Sequence, residues 1–117
     1  MGNPVTHFEV LGTDAGALQQ FYGEVFGWQT QDVMGGSYYM VDRGNESGIN
    51  GGIGASPDGS PGHVTFYVEV DDPGAALEKI SGLGGTTVQP PMEVPGGPTI
   101  ALFADPEGHV VGLVKSR

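Results

Sequence analysis

The chain has 117 residues, 38% of them aliphatic or aromatic, enough for one domain with a single core or two small fused modules. Fourteen acidic against four basic residues leave a net charge of −10. That balance repels nucleic-acid phosphates and anionic lipid, so neither nucleic acid nor a membrane is an expected partner. No apolar run approaches the roughly 18 residues of a membrane span. Cysteine is absent, so there is no disulfide framework. The opening MGNPVTHF lacks the basic start and apolar stretch of a secretory signal, and a cytoplasmic location is the expectation.

In chain order, VTHFEVL alternates as a strand, with Phe8 and Val10 on one face and His7, Glu9 and Leu11 on the other. Asp14 then stands where a helix N-cap belongs. Leu18, Phe21, Tyr22, Val25 and Phe26 follow at helical spacing, and Gly27 is the stop. WQTQDVM, SYYMVD and GINGGIGA read as three further strands separated by glycine-rich turns. SPDGSPG, residues 56–62, reads as a linker. After it the order starts again: HVTFYVEV is a strand, Asp72 a cap, Pro73 the first helical turn, and LGG the stop. HFEV is echoed by TFYV, TDAGAL by DDPGAAL and FGW by LGG at a shift of roughly 57 to 59 residues, the mark of a duplicated supersecondary unit. TTVQPPMEV, PTIALFAD and HVVGLVK supply the last three strands. Asp105-Pro106-Glu107-Gly108 joins the final two as a type I turn, which leaves His109 as an exposed hairpin residue. The remaining acidic side chains are scattered, as on a solvated surface.

The segments HFEVLGTDAGALQQFYGEVFGW, INGGI, VEVDDPGAALEKISGLGGTTVQPP and FADPEGHVVGLV, taken in order from about Val5 to Lys115, resemble the vicinal oxygen chelate superfamily. That group includes glyoxalase I, bleomycin-resistance proteins and extradiol dioxygenases. The resemblance implies an α+β fold in which two βαβββ modules form curled mixed sheets around a cavity with the helices outside. The modules would span residues 5–55 and 63–115 of a single domain.

Metal-dependent members of that superfamily place four ligands in the cavity, one each on the first and last strands of each module. By the resemblance these positions fall at His7, Gly52, Thr65 and Gly112. Glycine has no side chain to coordinate with, and a neutral threonine hydroxyl is a poor ligand. A Zn²⁺, Ni²⁺ or Fe²⁺ ion needs about three protein ligands, so the expectation is that the usual site is lost and no cofactor is required. The alternative is a displaced divalent-metal site built from His7, Glu9 and His63.

Without a metal, His7 and Glu9 are the candidate acid and base, since burial moves such groups toward neutrality. The competing reading is that the two side chains only satisfy each other or the backbone. Tyr38, Tyr39, Thr65, Tyr67 and Phe103 are candidate substrate contacts. Alternation allows either Tyr38 with Met40 or Tyr39 with Val41 to point inward, and Trp28, Met34, Met92 and Phe103 divide between core and cavity in a way the pattern leaves open. Gly51, Gly52, Gly54 and Gly112, inside strands, mark curvature or room for a ligand.

The functional expectation is therefore a glyoxalase- or bleomycin-resistance-like protein that binds a small organic molecule. Its enzymatic version is a lyase or isomerase step on an oxygenated substrate. The alternative is a metal-dependent lyase, isomerase or dioxygenase. A homodimer that buries exposed strand edges is expected.

Overall fold

Strand, helix and three strands, twice over, is the element order in the computed structural model, which describes residues 2–56 and 59–116. The elements are β1 (Val5–Gly12), α1 (Ala15–Phe26), β2 (Thr30–Asp32), β3 (Tyr38–Val41), β4 (Gly51–Ala55), β5 (Val64–Val70), α2 (Pro73–Gly82), β6 (Thr86–Glu93), β7 (Thr99–Ala104) and β8 (Val110–Lys115). The class is α+β. Of the expected linker, Pro57 and Asp58 lie outside the described residues.

Both helices start as their sequences dictate. The Asp14 carboxylate accepts from the Ala17 amide at 3.0 Å, and the Asp72 carboxylate from the Ala75 amide at 3.2 Å. Each satisfies an amide that the first turn leaves without an intrahelical partner. Helix α1 ends on Gly27 at φ 70°, a left-handed cap that glycine adopts without strain.

The chain divides into two compact units. The first is His7–Val64, with strand order β2-β3-β4-β1. β1 runs parallel to β4, with Glu9 beside Gly52 and Val10 beside Ile53, while β3 is antiparallel to β4, with Tyr39 opposite Ile53 and Tyr38 opposite Gly54. Side chains alternate across a sheet, so this register sends Val10, Ile53, Tyr39 and Val41 to one face and Glu9, Gly52, Gly54 and Tyr38 to the other. The first face is the core. Val10, Val41 and the fully buried Ile53 are packed by Phe8, Leu18, Tyr22 and Trp28. Trp28 lies 5.3 Å, ring centre to ring centre, from both Phe8 and Tyr22, so it is a core residue.

The second unit comprises residues 2–6 and 65–116, with strand order β5-β8-β7-β6 and β5 parallel to β8. Its core is Leu77, Ala101 and Leu113, packed by Val68, Val70, Ala76, Ile80 and Phe103. The units divide between Thr6 and His7 and between Val64 and Thr65. Residues 59–64 side with the first unit, where Leu11 and His63 exchange both backbone hydrogen bonds at 2.8 and 3.1 Å. Residues 2–6 side with the second, where the Pro4 carbonyl accepts from the Glu69 amide at 2.9 Å. Between β7 and β8 the Gly108 amide bonds the Asp105 carbonyl at 2.9 Å, closing the turn. The Asp105 carboxylate accepts from the Glu107 and His109 amides and from the exposed His109 ring. Those bonds, the His109 amide foremost, hold its carboxyl below the usual range.

Candidate functional site

On the sheet face of the first unit that looks away from α1, three polar side chains meet. Tyr38 donates its phenolic proton to Glu9 Oε2 at 3.0 Å, and its oxygen lies 3.2 Å from His7 Nε2. A phenol has one proton, and Glu9 takes it. His7 therefore donates from Nε2, which fixes the Nε2–H tautomer and leaves Nδ1 as the acceptor of the neutral ring. Glu9 is buried, at 8% exposure, and His7 half-buried. Burial pushes the His7 pKa below its ordinary value of 6.5, and the Glu9 charge opposes that without overcoming it. The result is a neutral imidazole and a carboxylate bridged by one hydroxyl.

The glycines of β4 let Tyr38 reach this position. A Cβ at Gly52 would fall on the phenolic oxygen and Cζ of Tyr38, and one at Gly54 would come within 2.5 Å of its Cδ1. The ring lies across the strand where side chains are missing. On the opposite face the Phe8 ring lies over Gly51 in the same way. The expectation that these glycines open room for a ligand is thus corrected, because aromatic rings occupy the room.

The other candidates are placed as follows. In the second unit Tyr67, at 5% exposure, covers its parallel-strand neighbour Gly112, whose Cβ would overlap the ring. Thr65, on the same face two residues earlier, donates to the Val110 carbonyl at 2.6 Å, so its hydroxyl proton is engaged by the backbone. Phe103 packs on the Leu77–Ala101–Leu113 core, and Tyr39 shares the helix-covered face with Ile53 and reaches toward Gly16 of α1. Tyr39 does not join the polar group, because the register puts it one residue out of phase with Tyr38. The backbone of His63 is tied to Leu11, and the residue lines a groove with Leu18, Phe21 and Tyr22. Its Nε2 is buried with no hydrogen-bond partner among the described residues.

A metal fares poorly in this donor set. Among the described residues no three or more His, Asp or Glu side chains are grouped to hold an ion. His7 and Glu9 supply two donors, and the neighbour of Glu9 on β4 is a glycine under a tyrosine ring. The residues present do not fit a divalent cation at about three ligands.

Known proteins share both the sequence pattern and the fold. The profile of the Glyoxalase/Bleomycin resistance protein/Dioxygenase superfamily matches residues 5–113. A putative glyoxylase of Mycobacterium bovis is 31% identical over 111 residues, covering 90% of this chain and 42% of that protein. An anthracycline biosynthesis protein of Streptomyces peucetius is 28% identical over 119 residues, again with 42% of its length covered. The chain thus spans less than half the length of these curated relatives. Among solved structures, methylmalonyl-CoA epimerase from Mycobacterium tuberculosis superposes with a TM-score of 0.69 at 12% identity, covering 97% of this chain and 87% of that one. A superfamily member from Vibrio splendidus gives 0.65 at 14% identity, with 98% and 100% covered. These likenesses are of fold. With the profile spanning nearly the whole chain, the protein belongs to the Glyoxalase/Bleomycin resistance protein/Dioxygenase superfamily.

Proposed function

We propose that the protein binds a small oxygenated organic molecule against the His7–Glu9–Tyr38 face and that Glu9, through the Tyr38 hydroxyl, exchanges a proton with it. One observation carries the reading. A carboxylate at 8% exposure is held by a phenol and a neutral imidazole, on the face opposite the unit's apolar core. Burying polar groups costs free energy unless they are hydrogen-bonded, and this cluster adds nothing to the Val10–Val41–Ile53 packing. A carboxylate and a neutral histidine joined by a hydroxyl are the parts of general acid–base chemistry. The names of the relatives, glyoxylase and anthracycline biosynthesis protein, belong to small-molecule chemistry, which supports the class of ligand. No metal is required, since the donor set does not suit one. Metal-dependent chemistry through His7, Glu9 and His63 has no support in how the described residues group.

The proposal includes a homodimer in the cytoplasm. Phe21, Val25 and Phe26 on α1 are exposed large apolar residues, the kind of surface that association covers. No helix among the described residues is long and apolar enough to cross a membrane. Light scattering should give twice the chain mass at micromolar concentration, and a monomer mass would remove the dimer from the proposal.

Thermal shift against carbonyl compounds and polyketide-like aromatics tests the binding. At least one compound should raise the melting temperature, since a ligand that binds the native state stabilises it. Glu9→Gln, which keeps the shape and loses the base, should abolish deuterium uptake by that compound from D₂O. No stabilising ligand across these classes would sink the reading. Fluorescence of Trp28 is a poor reporter, because the indole packs on the opposite face of the sheet.

A further inference from the structure

We propose that Tyr38 closes this face to divalent cations. Its ring, seated on Gly52 and Gly54, fills the space beside His7 and Glu9 that an ion and a third ligand would need. The geometry follows from register. Glu9 and Gly52 are neighbours on parallel strands, so a side chain at position 52 would rise beside the Glu9 carboxylate. Its first carbon would land on the phenolic oxygen and Cζ of Tyr38. A third ligand on β4 and the Tyr38 ring therefore exclude one another.

The hydrogen bonds add a second barrier. The Tyr38 hydroxyl is donor to Glu9 and acceptor from His7 at once, a pairing that a cation cannot reproduce. To ligate through Nε2, His7 would have to surrender the proton it donates to Tyr38, and Glu9 would lose the Tyr38 hydroxyl from its Oε2. The phenol thus organises the acid–base pair and keeps the ion out, by volume and by where the protons sit. Positions 38, 52 and 54 are linked: a large ring at the first requires glycine at the other two.

The inference deepens the proposed function, but its test reads metal and not ligand, so the two fail separately. Untagged full-length protein is dialysed against Zn²⁺, Ni²⁺ and Mn²⁺, and bound metal is measured beside far-UV circular dichroism. Wild type and Tyr38→Phe, which keeps the ring, should hold well under one equivalent. Tyr38→Ala combined with Gly52→Glu should hold about one equivalent of Zn²⁺ or Ni²⁺ through three ligands, and lose it when His7→Ala is added. Nitrogen NMR of the His7 ring gives a reading that does not depend on the double variant folding. Zn²⁺ should leave the wild-type and Tyr38→Phe ring signals in place and move those of Tyr38→Ala, with apparent affinity at least about tenfold above wild type. One equivalent of Zn²⁺ on the wild type that shifts the His7 signals would overturn the proposal. So would a Tyr38→Ala ring that responds no more than wild type, or a folded double variant that binds nothing.

Discussion

The two units repeat one element order and differ in what they do with a tyrosine. In His7–Val64 the ring comes from β3, crosses Gly52 and Gly54 of β4, and ends between a histidine and a glutamate. In the second unit the ring is Tyr67 on β5 itself. It covers Gly112 of β8, while the neighbouring Thr65 hydroxyl is spent on the Val110 carbonyl. Their cores differ as well, with Phe8, Tyr22 and Trp28 around the first and mainly aliphatic side chains around the second. One element order thus carries, in one half, a histidine, a tyrosine and a glutamate bonded together and, in the other, a threonine hydroxyl bonded to the backbone. The difference lies in which strand carries the ring and where its hydroxyl lands.

The largest expected effect tests the aromatic half. Ile53 is fully buried at the centre of the first core, and Ile53→Ala should cost about 3 to 4 kcal/mol in urea denaturation. A loss under about 1 kcal/mol would mean that the surrounding rings can collapse into the space, and that the first core is the more adaptable.

The two tyrosine seats can be compared directly through their glycines. Gly112→Ala puts a methyl against the ring of buried Tyr67, while Gly52→Ala strikes the far end of Tyr38, which is partly exposed and can swing away. Overpacking should cost about 3 kcal/mol at Gly112 and about 1 kcal/mol at Gly52, measured by denaturation. Gly52→Ala should also displace the hydroxyl from His7 and Glu9 and weaken ligand binding, which Gly112→Ala leaves intact if the protein folds. Equal costs at the two positions would remove the distinction drawn between the seats.

Smaller again is the hydroxyl itself. Tyr38→Phe removes a donor to a buried carboxylate and should cost about 2 kcal/mol, near the range for hydrogen bonds to charged groups, while Thr65→Val removes a neutral one and should cost about 1 kcal/mol. Only the first should change ligand affinity. Reversal of that order would mean that the Tyr38–Glu9 bond holds the fold less firmly than the Thr65–Val110 bond.

The smallest effect is a pH dependence assigned to His7. Its folded pKa is lowered by burial, so the unfolded chain binds the proton more tightly. The contribution is fully present above the ordinary value of 6.5. It falls as pH drops from there toward the lowered folded value, where the unfolded state takes up the proton first. Denaturation midpoints collected across that window should show a slope that His7→Gln flattens. An unchanged slope would assign the dependence to other groups.

Periodicity and turn chemistry determined the order of strands and helices, both Asp caps and the Gly27 stop, because each depends on residues within a few positions of one another. The alternation of β1 likewise put His7 and Glu9 on one face. What the sequence left open was long-range. Tyr38 and Tyr39 fit equally well until the β3–β4 register fixed Tyr39 opposite Ile53 and Tyr38 opposite Gly54, and a shift of one residue would have exchanged them. The same limit explains Phe103, whose pattern allows either face until β7 pairs with β8 and puts it over the core beside Leu113. It also explains the glycines, which a sequence shows only as missing side chains. Whether a ligand or a neighbouring ring fills the gap is decided by which strand lies alongside, and here β3 brings Tyr38 over Gly52 and its hydroxyl to Glu9.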